Sequence, residues 1–408
     1  MKILQINAVY DTKSTGRSCK EFRDWAIHNG HDCLTLYGNS PVAKVNETEA
    51  MYFGSYLTHK IHAVTGRFFG DSGIGSWLAT KKMLNIINAY KPDIVNLRNL
   101  HGNYINIPIL LDYLSKKNIP TVVQTDDCFW FTGGCMHYTV NKCFEWQRDC
   151  KKCHYLRRGR EFLIANEADK ALTRKKKLFH AIPRLAVLGV SGWTAQQARL
   201  SSVFRDAPII DYVYNWIDLS IFCPQGRELD SSTRTKLGLQ PTDTMVLGVA
   251  SGWGAKKGLD RFIELRHYLP EDTKIYLVGN MDSNVCLPDG IIALGSTEST
   301  ESLACLYSAA DVFVHLSLEE TFGKVTAEAL ACGTPAVVYD STASPELVSP
   351  ETGVCVQPGD IINVANAIRQ LADKHPAEAC RARAEHLFDL DTNCNRMIEI
   401  YHQNIDIL

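Results

Sequence analysis

Short runs of apolar residues alternate with longer amphipathic segments along almost the whole chain. In the first half, these runs lie at 2–8, 32–37, 93–97, 120–124, 185–190 and 211–214. The pattern restarts in the second half, with runs at 245–250, 274–279, 291–295, 312–315, 336–339 and 353–356. Apolar runs separated by helical segments are typical of parallel strands that helices cover on both faces. The pattern therefore predicts an α/β protein with two doubly wound, Rossmann-like domains.

A polar stretch separates the two halves. Turn-forming and helix-breaking residues lie within 215–224, and Gln, Gly, Asp, Ser and Thr are frequent up to about residue 235. We expect a hinge here, between a first domain at 1–215 and a second domain at 216–384. The remaining segment, 385–408, is expected to contain a C-terminal helix. Residues 128–160 are rich in cysteine and show little of the strand and helix pattern, which predicts an insertion in the first domain.

Composition narrows the class of protein. The 408 residues exceed what one hydrophobic core usually holds, in agreement with two domains. A net charge of −2 and a hydrophobic content of 45% argue against a disordered chain and against a nucleic-acid partner bound through overall basicity. No apolar segment resembles a signal peptide or a membrane span, so we expect a cytoplasmic protein whose 14 cysteines are reduced.

The stretch 317–335 holds the most informative chemistry. Glu320 and Glu328 are eight residues apart, and the helix predicted from Lys324 begins between them, directly after Gly323. Backbone N–H groups and the positive end of the helix dipole at such a terminus can hold a diphosphate. Glu320 would then lie beside a sugar and Glu328 beside a ribose, since carboxylates accept hydrogen bonds from hydroxyls. The alternative is a surface helix with an ion pair between Lys324 and Glu328.

A second glycine-containing segment, 251–260, follows a predicted strand and opens a helix. Its glycines permit a tight turn, and Lys256 and Lys257 would face the phosphate position. A leaving diphosphate needs fixed positive charge, which Lys257 can supply, so no catalytic metal is expected. The alternative is a pair of solvated lysines on a loop, with Trp253 packed on the domain instead of on a nucleotide base.

The string E-E-T-F-G-K-V-x-x-E-A-L-A-C-G-T-P-x-V-V, at 319–338, closely resembles the donor-binding signature of retaining glycosyltransferases of family 4. The resemblance is strong over about 246–368 and looser before residue 215. It implies the GT-B fold, in which two Rossmann-like domains face each other across a cleft, one binding the donor and the other the acceptor. It also implies that a final helix, at about 393–405, packs back on the first domain.

The resemblance extends to individual donor-binding residues. In the first domain, a glycine loop at 11–18 would approach the donor phosphates. The family commonly has an Arg about five residues before the Lys257-Gly258 pair, and this chain has Ser251 and Gly252 there, so Lys256 would supply the missing charge. The residues assigned to the donor in this way are Gly16, Lys256, Lys257, Glu320, Thr321, Phe322, Gly323, Lys324 and Glu328.

Polar residues after two predicted strands of the first domain would meet the acceptor. Asp126 and Asp127 follow the run at 120–124, and His101 follows the run at 93–97. Relatives that build bacterial capsular and exopolysaccharide glycans of the colanic-acid type usually have His-Asp where this chain has Asp126 and Asp127. Asp127 matches that Asp, whereas Asp126 replaces the His, and His101 is the nearest imidazole that could compensate. The alternative is that these side chains cap strand ends or satisfy structural hydrogen bonds.

The cysteine-rich insertion carries a candidate metal site. Cys135, Cys143, Cys150 and Cys153 are closely spaced, and four thiolates can enclose a zinc ion tetrahedrally. We expect a structural zinc that staples the insertion, and no catalytic role for it, because four thiolates leave no open coordination position. The alternatives are reduced, unliganded thiols or redox-dependent disulfides.

The segment 148–177 is locally basic, with eleven Lys or Arg residues against four Asp or Glu residues. Such a patch could contact anionic lipid or a lipid-diphosphate acceptor, so we expect the protein to lie peripherally on the inner face of the plasma membrane. The alternative is an ordinary solvated helix face.

The resemblance to the family implies a retaining glycosyltransferase that uses a UDP- or GDP-sugar and a glycan or lipid-linked glycan acceptor in surface polysaccharide synthesis. The expected catalytic residues are Glu320, Lys257, Asp126 and Asp127. Two other hypotheses remain open: another nucleotide-sugar enzyme of the same fold, such as an epimerase or phosphorylase, and a noncatalytic scaffold that binds a partner. Loss of function after substitution of Glu320 distinguishes an enzyme from a scaffold.

Overall fold

The computed structural model describes residues 1–39, 49–54, 56–69, 73–151, 153 and 168–407. The chain divides into two compact units. The first unit comprises Met1–Val213 and Cys394–Leu408, and the second comprises Tyr214–Asn393. Each contains a parallel sheet flanked by helices, which confirms the fold class predicted from the apolar pattern.

The first unit is built on a seven-stranded parallel sheet. Its strands are β1 (Lys2–Asn7), β2 (Asp32–Tyr37), β3 (Ala50–Tyr52), β4 (Ile94–Leu97), β5 (Thr121–Thr125), β6 (Leu185–Gly189) and β7 (Ile209–Tyr212). The spatial order is β3-β2-β1-β4-β5-β6-β7, so the direction of winding reverses between β1 and β4. Such a reversal leaves a crevice at the carboxyl ends of these two strands, which is where doubly wound folds bind ligands.

The helices of the first unit connect these strands and cover the sheet. They are α1 (Lys13–His28), α2 (Tyr56–Phe69), α3 (Trp77–Tyr90), α4 (Ile107–Lys116), α5 (Ala168–His180) and α6 (Gly192–Leu200). Every residue of the central strands β4, β5 and β6 is buried, which explains why such strands appear in the sequence as largely apolar runs.

The second unit repeats this design with six strands. They are β8 (Thr244–Gly252), β9 (Thr273–Asn280), β10 (Ile291–Gly295), β11 (Val312–His315), β12 (Ala336–Tyr339) and β13 (Gly353–Val356), in the spatial order β10-β9-β8-β11-β12-β13. The winding reverses between β8 and β11. The helices are α7 (Arg227–Lys236), α8 (Leu259–Arg266), α9 (Thr300–Ala309), α10 (Lys324–Ala331), α11 (Ser344–Leu347), α12 (Ile361–Lys374) and α13 (Ala377–Phe388).

The last helix, α14 (Leu390–Ile405), belongs for most of its length to the first unit. The hydroxyl of Tyr401 accepts a hydrogen bond of 2.8 Å from the buried Asn96 side chain in β4. The Asn404 side chain donates to the carbonyl of Thr121 in β5, at 3.1 Å. These buried polar contacts hold α14 against the sheet, because breaking them would leave unpaired groups in the core.

Two elements of the fold were not among the sequence predictions. The strand β3 is three residues long, which is too short to give a readable apolar pattern. The polar segment expected to be a hinge contains α7, which buries none of its residues. Glu228 and Asp230 lie in its first turn and Arg234 and Lys236 in its last turn, which complements the helix dipole and favours a solvated helix.

The described part of the cysteine-rich insertion has an aromatic core of its own. Tyr138 and Trp146 are buried, with ring centroids 4.9 Å apart, and Phe131 lies 5.1 Å from Trp146. The Tyr138 hydroxyl donates to the Gln197 side chain in α6, at 2.7 Å. Aromatic packing therefore fixes this insertion to the first unit.

Among the described helices, none combines the length and apolar character needed to cross a lipid bilayer.

Candidate functional site

In the second unit, two loops meet where the winding of the sheet reverses. The loop after β8 contains Gly258, whose φ of +79° lies in the left-handed region. A Cβ atom on Gly258 would lie 2.6 Å from the carbonyl oxygen of Leu316, which follows β11. Glycine is therefore required here by both its backbone conformation and the close approach of the two loops. The Leu318 N–H also donates to the Lys256 carbonyl, at 3.5 Å.

This contact brings three ionisable side chains together around Glu320. The Glu320 Oε1 atom accepts from Lys257 Nζ at 2.5 Å and from His315 Nε2 at 3.0 Å. His315 is almost fully buried, whereas the Lys257 side chain remains 34% exposed. Burial by itself raises the pKa of Glu320, but the hydrogen bond from His315 and the charges of His315 and Lys257 outweigh it, so the pKa falls well below its usual range. Glu320 is therefore an ionised carboxylate beside the carboxyl ends of the strands of the second sheet.

The helix α10 begins next to this cluster. Gly323 precedes it with a φ of +98°, and the first intrahelical hydrogen bond runs from the Thr326 N–H to the Gly323 carbonyl, at 2.9 Å. The side chain of Phe322 packs into the core against Tyr214 and Phe388. In this segment, Phe322 can therefore meet a ligand only through its backbone.

The second acid of the pair lies within α10. Glu328 accepts a hydrogen bond of 3.0 Å from the hydroxyl of Tyr307, a fully buried residue of α9. Burial, and then the neighbouring Glu328 carboxylate, raise the pKa of Tyr307 well above its usual value. Tyr307 thus remains a neutral donor that can hold the Glu328 carboxylate in one orientation.

The other donor candidates differ in exposure. Lys256 is exposed on the loop after β8, next to the partly buried Lys257. Trp253 donates to the carbonyl of Val278 at 3.0 Å and packs edge-on against Phe262, so its ring serves the packing of the loop. In the first unit, Gly16 lies in α1, where a Cβ atom would come within 3.2 Å of the backbone of Asp11. That glycine permits the close turn after β1.

Beside the carboxyl ends of the strands of the first sheet, Asp126 pairs with a residue that the sequence analysis did not single out. Arg98 follows β4 and is fully buried, and two of its nitrogen atoms donate to the two carboxylate oxygens of Asp126, at 3.1 and 3.3 Å. A third nitrogen of Arg98 lies 3.3 Å from the sulfur of Cys19. Asp126 is thus the counter-ion of a buried guanidinium group.

The neighbouring acid, Asp127, instead pairs with His101. The His101 Nε2 atom lies 2.7 Å from Asp127 Oδ2, and the Phe129 N–H donates to Asp127 Oδ1 at 2.8 Å. Within the described residues, Nδ1 of His101 makes no hydrogen bond, and its side chain is 24% exposed. The Asp127 carboxylate accepts from Nε2, so this pair orients the imidazole ring and leaves Nδ1 on the opposite side of the ring.

None of the four insertion cysteines forms a disulfide with another described residue. Burial, reinforced by the neighbouring thiols of Cys135, Cys153 and Cys143, raises the pKa of Cys150 to about 12. In the part of the chain that the structure describes, no group of three or more His, Cys, Asp or Glu side chains is placed to hold a metal ion. The expectation of a zinc staple therefore has no support there, and the aromatic core accounts for the packing of the insertion.

Much of the predicted basic patch, including residues 152, 157, 158 and 160, lies outside the described residues. Lys175, one member of the patch, is buried, so the prediction of an exposed basic surface is wrong for this residue. Its Nζ donates to the carbonyls of Phe129 and Thr132, at 2.5 and 3.0 Å, and lies 3.6 Å from the centroid of the Phe129 ring. Lys175 therefore stabilises the insertion and is not part of a lipid-facing surface.

Sequence reasoning missed Arg98, His315 and Tyr307. A weak signal existed for the first two, because each is a basic residue at the end of an apolar run. Tyr307 lies in an amphipathic helix and gives no local signal. Only the fold shows that it reaches Glu328.

A known protein family matches part of the second unit. Residues 244–374 match the family described as Glycosyl transferases group 1. The chain is 31% identical over 194 residues to D-inositol 3-phosphate glycosyltransferase from Mycolicibacterium smegmatis, covering 44% of each chain. It is 28% identical over 195 residues to a GDP-mannose-dependent monoacylated alpha-(1-6)-phosphatidylinositol monomannoside mannosyltransferase from Corynebacterium glutamicum, covering 43% of this chain and 50% of the relative. The chain thus spans about half the length of these curated relatives.

Solved structures match the whole chain in fold. Sucrose-phosphate synthase from Thermosynechococcus elongatus has a TM-score of 0.70 at 17% identity, over 99% of both chains. HepE from Anabaena, in complex with UDP and glucose, has a TM-score of 0.64 at 16% identity, over 99% of this chain and 100% of that one. Residues 244–374 are therefore similar to the glycosyl transferases group 1 family, and the chain has the GT-B fold of two parallel-sheet α/β units.

Proposed function

We propose that this protein is a retaining glycosyltransferase that moves a sugar from a nucleotide-diphosphate sugar to a glycan or lipid-linked acceptor. The observation that carries the proposal is the Glu320 cluster, in which Lys257 and His315 meet one carboxylate at the start of α10. It lies within the residues that match the glycosyl transferases group 1 family. Fixed cations beside a helix N-terminus suit a diphosphate, and an ionised carboxylate suits sugar hydroxyls.

In this proposal, Lys257 changes partner when the donor binds. Its partly exposed side chain pairs with Glu320 in the described structure and would turn toward the diphosphate, assisted by Lys256. As the bond between sugar and phosphate breaks, negative charge grows on the leaving phosphate, and Lys257 stabilises it without a catalytic metal. His315 keeps Glu320 ionised and oriented after Lys257 has turned away.

Two other parts of the second unit would complete donor binding. Glu328, oriented by Tyr307, would accept from the ribose hydroxyls. Backbone N–H groups of Thr321, Phe322, Gly323 and Lys324 would face the diphosphate. HepE from Anabaena was solved with UDP and glucose, and the corynebacterial relative is named as GDP-mannose-dependent, so we propose a UDP- or GDP-sugar as the donor.

The first unit would bind the acceptor. His101 presents Nδ1 while Asp127 holds the ring, an arrangement that suits contact with an acceptor hydroxyl and transfer of its proton. Asp126 would contribute to acceptor binding indirectly, by holding the Arg98 side chain in place. We further propose that the acceptor is lipid-linked, that the protein contacts the membrane peripherally, and that the product belongs to a surface polysaccharide.

Thermal unfolding with candidate nucleotides tests donor binding. We expect UDP or GDP and the corresponding sugar nucleotides to raise the melting temperature of the wild type, since a ligand of the folded state stabilises it. The variant Glu328→Ala should lose this shift, and Glu271→Ala, at an exposed position of the same unit, should keep it. No shift with any nucleotide would contradict the proposal and favour a noncatalytic scaffold.

Analysis of the reaction product tests the chemistry. Once the donor is known, the anomeric configuration of the transferred sugar can be read by NMR. Retention of the donor configuration is expected, and inversion would contradict the proposed mechanism. Turnover of the donor without transfer would favour another nucleotide-sugar enzyme.

A further inference from the structure

The helices α2 and α3 of the first unit display an unusual number of exposed apolar side chains. Of the 13 large hydrophobic residues that are exposed in the described structure, five lie between residues 61 and 78. Each has between 42% and 58% of its surface exposed; they are Ile61, Val64, Ile74, Trp77 and Leu78. Clusters of this kind in soluble domains commonly mark a binding surface.

The orientation of α2 makes this exposure more informative. His62 is 1% exposed, whereas its neighbour Ile61 is 56% exposed, so the helix buries an imidazole and turns an aliphatic side chain outward. The His62 ring receives a hydrogen bond of 3.0 Å from the Gly75 N–H and lies 2.9 Å from the Ser76 hydroxyl. These contacts hold the segment that leads into α3, between Ile74 and Trp77, against the buried side of α2.

The sequence of this region has an excess of basic residues. Between residues 50 and 92 the sequence contains five Lys or Arg residues and one acid, Asp71. The ammonium of Lys81 lies 5.0 Å from the centroid of the exposed Trp77 ring. Apolar side chains with Trp among them, surrounded by lysines, are typical of helices that lie in the interface of an anionic membrane.

The same segment supports the loop that carries His101. His59 of α2 lies 2.9 Å from the carbonyl oxygen of Gly102, and Ser76 donates to the carbonyl of Asn103 at 3.2 Å. A membrane bound to α2 and α3 would therefore lie next to the edge of the sheet at which the acceptor is proposed to bind.

We propose that the outward face of α2 and α3 is a docking surface for an anionic lipid bilayer. Charge complementarity and the exposed Trp77 favour a lipid surface over a second copy of this chain, which would bring like charges together. This inference locates the membrane contact of the proposed function on the protein, and it rests on that function only for the membrane contact itself. It assigns the contact to Ile61, Val64, Trp77 and Leu78 instead of the basic segment at 148–177.

Sedimentation with lipid vesicles tests the surface. We expect the full-length protein to sediment with phosphatidylcholine vesicles that contain phosphatidylglycerol, and much less with phosphatidylcholine alone. The double variant Trp77→Ser/Leu78→Ser should bind at least about tenfold more weakly, because two large apolar side chains no longer enter the interface. Lys81→Gln and Lys82→Gln should each weaken binding by about fivefold, with the loss reduced at high salt.

A matched control is Ile362→Ser, which removes an equally exposed apolar side chain from α12 of the second unit and should leave vesicle binding unchanged. Equal vesicle binding by wild type and the double variant would overturn the proposal. So would dimerisation of the wild type in analytical ultracentrifugation that the double variant abolishes without any vesicle binding. The assay contains no nucleotide, so its failure is distinguishable from failure of donor binding.

Discussion

Two pairs of oppositely charged side chains, one in each unit, have similar geometry and different surroundings. Arg98 and Asp126 follow neighbouring strands of the first sheet, and their side chains are 1% and 7% exposed. Lys257 and Glu320 follow neighbouring strands of the second sheet, and Lys257 retains 34% exposure. The Arg98 pair is almost fully buried, as expected of a structural ion pair, whereas Lys257 is accessible to an incoming phosphate. Burial, more than distance, thus separates a structural ion pair from a candidate ligand site.

The largest effect is expected from breaking the buried pair. Asp126→Ala would leave the Arg98 guanidinium without its counter-ion, which should lower the free energy of unfolding by about 3–5 kcal/mol. Urea unfolding followed by circular dichroism measures this. The double variant Arg98→Met/Asp126→Leu should recover most of the loss, since apolar groups of similar size avoid the buried charge. A single variant as stable as the wild type would remove the contrast between the two pairs.

Breaking the accessible pair should impair activity more than stability. With Lys257→Met, we expect kcat to fall by about 10²- to 10³-fold, because the leaving phosphate loses its fixed charge. The free energy of unfolding should change by less than about 1 kcal/mol. Lys256→Met, at the exposed neighbouring position, should have a smaller effect on kcat. Full activity of Lys257→Met would show that this pair is also structural.

Acid titration sharpens the comparison at Glu320. Its pKa in the folded state lies below the usual value of about 4.3, so its stabilising contribution is fully present above that value and is lost as pH falls through the folded-state pKa. We expect the wild type to be more stable than Glu320→Gln at neutral pH, by about 1 kcal/mol or more, and the difference to shrink below about pH 4. Guanidinium unfolding of both proteins between pH 7 and pH 3 measures it. A difference that grows in acid would contradict the depressed pKa.

The smallest effect is expected at Tyr307. Tyr307→Phe removes the hydrogen bond to Glu328 and keeps the ring in the core. Loss of one such bond is worth about 1 kcal/mol, so nucleotide affinity should fall by about fivefold. Calorimetric titration with the nucleotide identified by thermal unfolding tests this, and Tyr276→Phe provides a control hydroxyl that bonds the distant Leu237 carbonyl. Unchanged affinity would mean that Glu328 needs no orientation by Tyr307.

The strands and their parallel arrangement were predictable, because buried strands such as β6 and β12 appear as uninterrupted apolar runs. Glu320 and Glu328 were singled out because both acids lie within one short stretch with a glycine-marked helix start. The same reasoning failed for Arg98, whose partner lies 28 residues away on another strand. Pairing across strands depends on sheet order, which local pattern does not specify.

The cysteine spacing shows this limit of local pattern too: it predicted a metal site, and the described residues give that prediction no support. Four nearby cysteines suggested a metal, yet the described part of the insertion packs through Tyr138 and Trp146. Spacing along the chain determines which residues are neighbours in sequence, and only the packing determines where their sulfur atoms point.

The position of α14 has a consequence for the order of folding during synthesis. Asn96 in β4 donates to the Tyr401 hydroxyl in the interior of the first unit, and 305 residues separate the two in sequence. The second unit, Tyr214–Asn393, contains all six strands of its own sheet and is translated entirely between them. On the ribosome, the second unit can therefore complete its core first, while the unit that is synthesised earlier must wait for α14 to emerge.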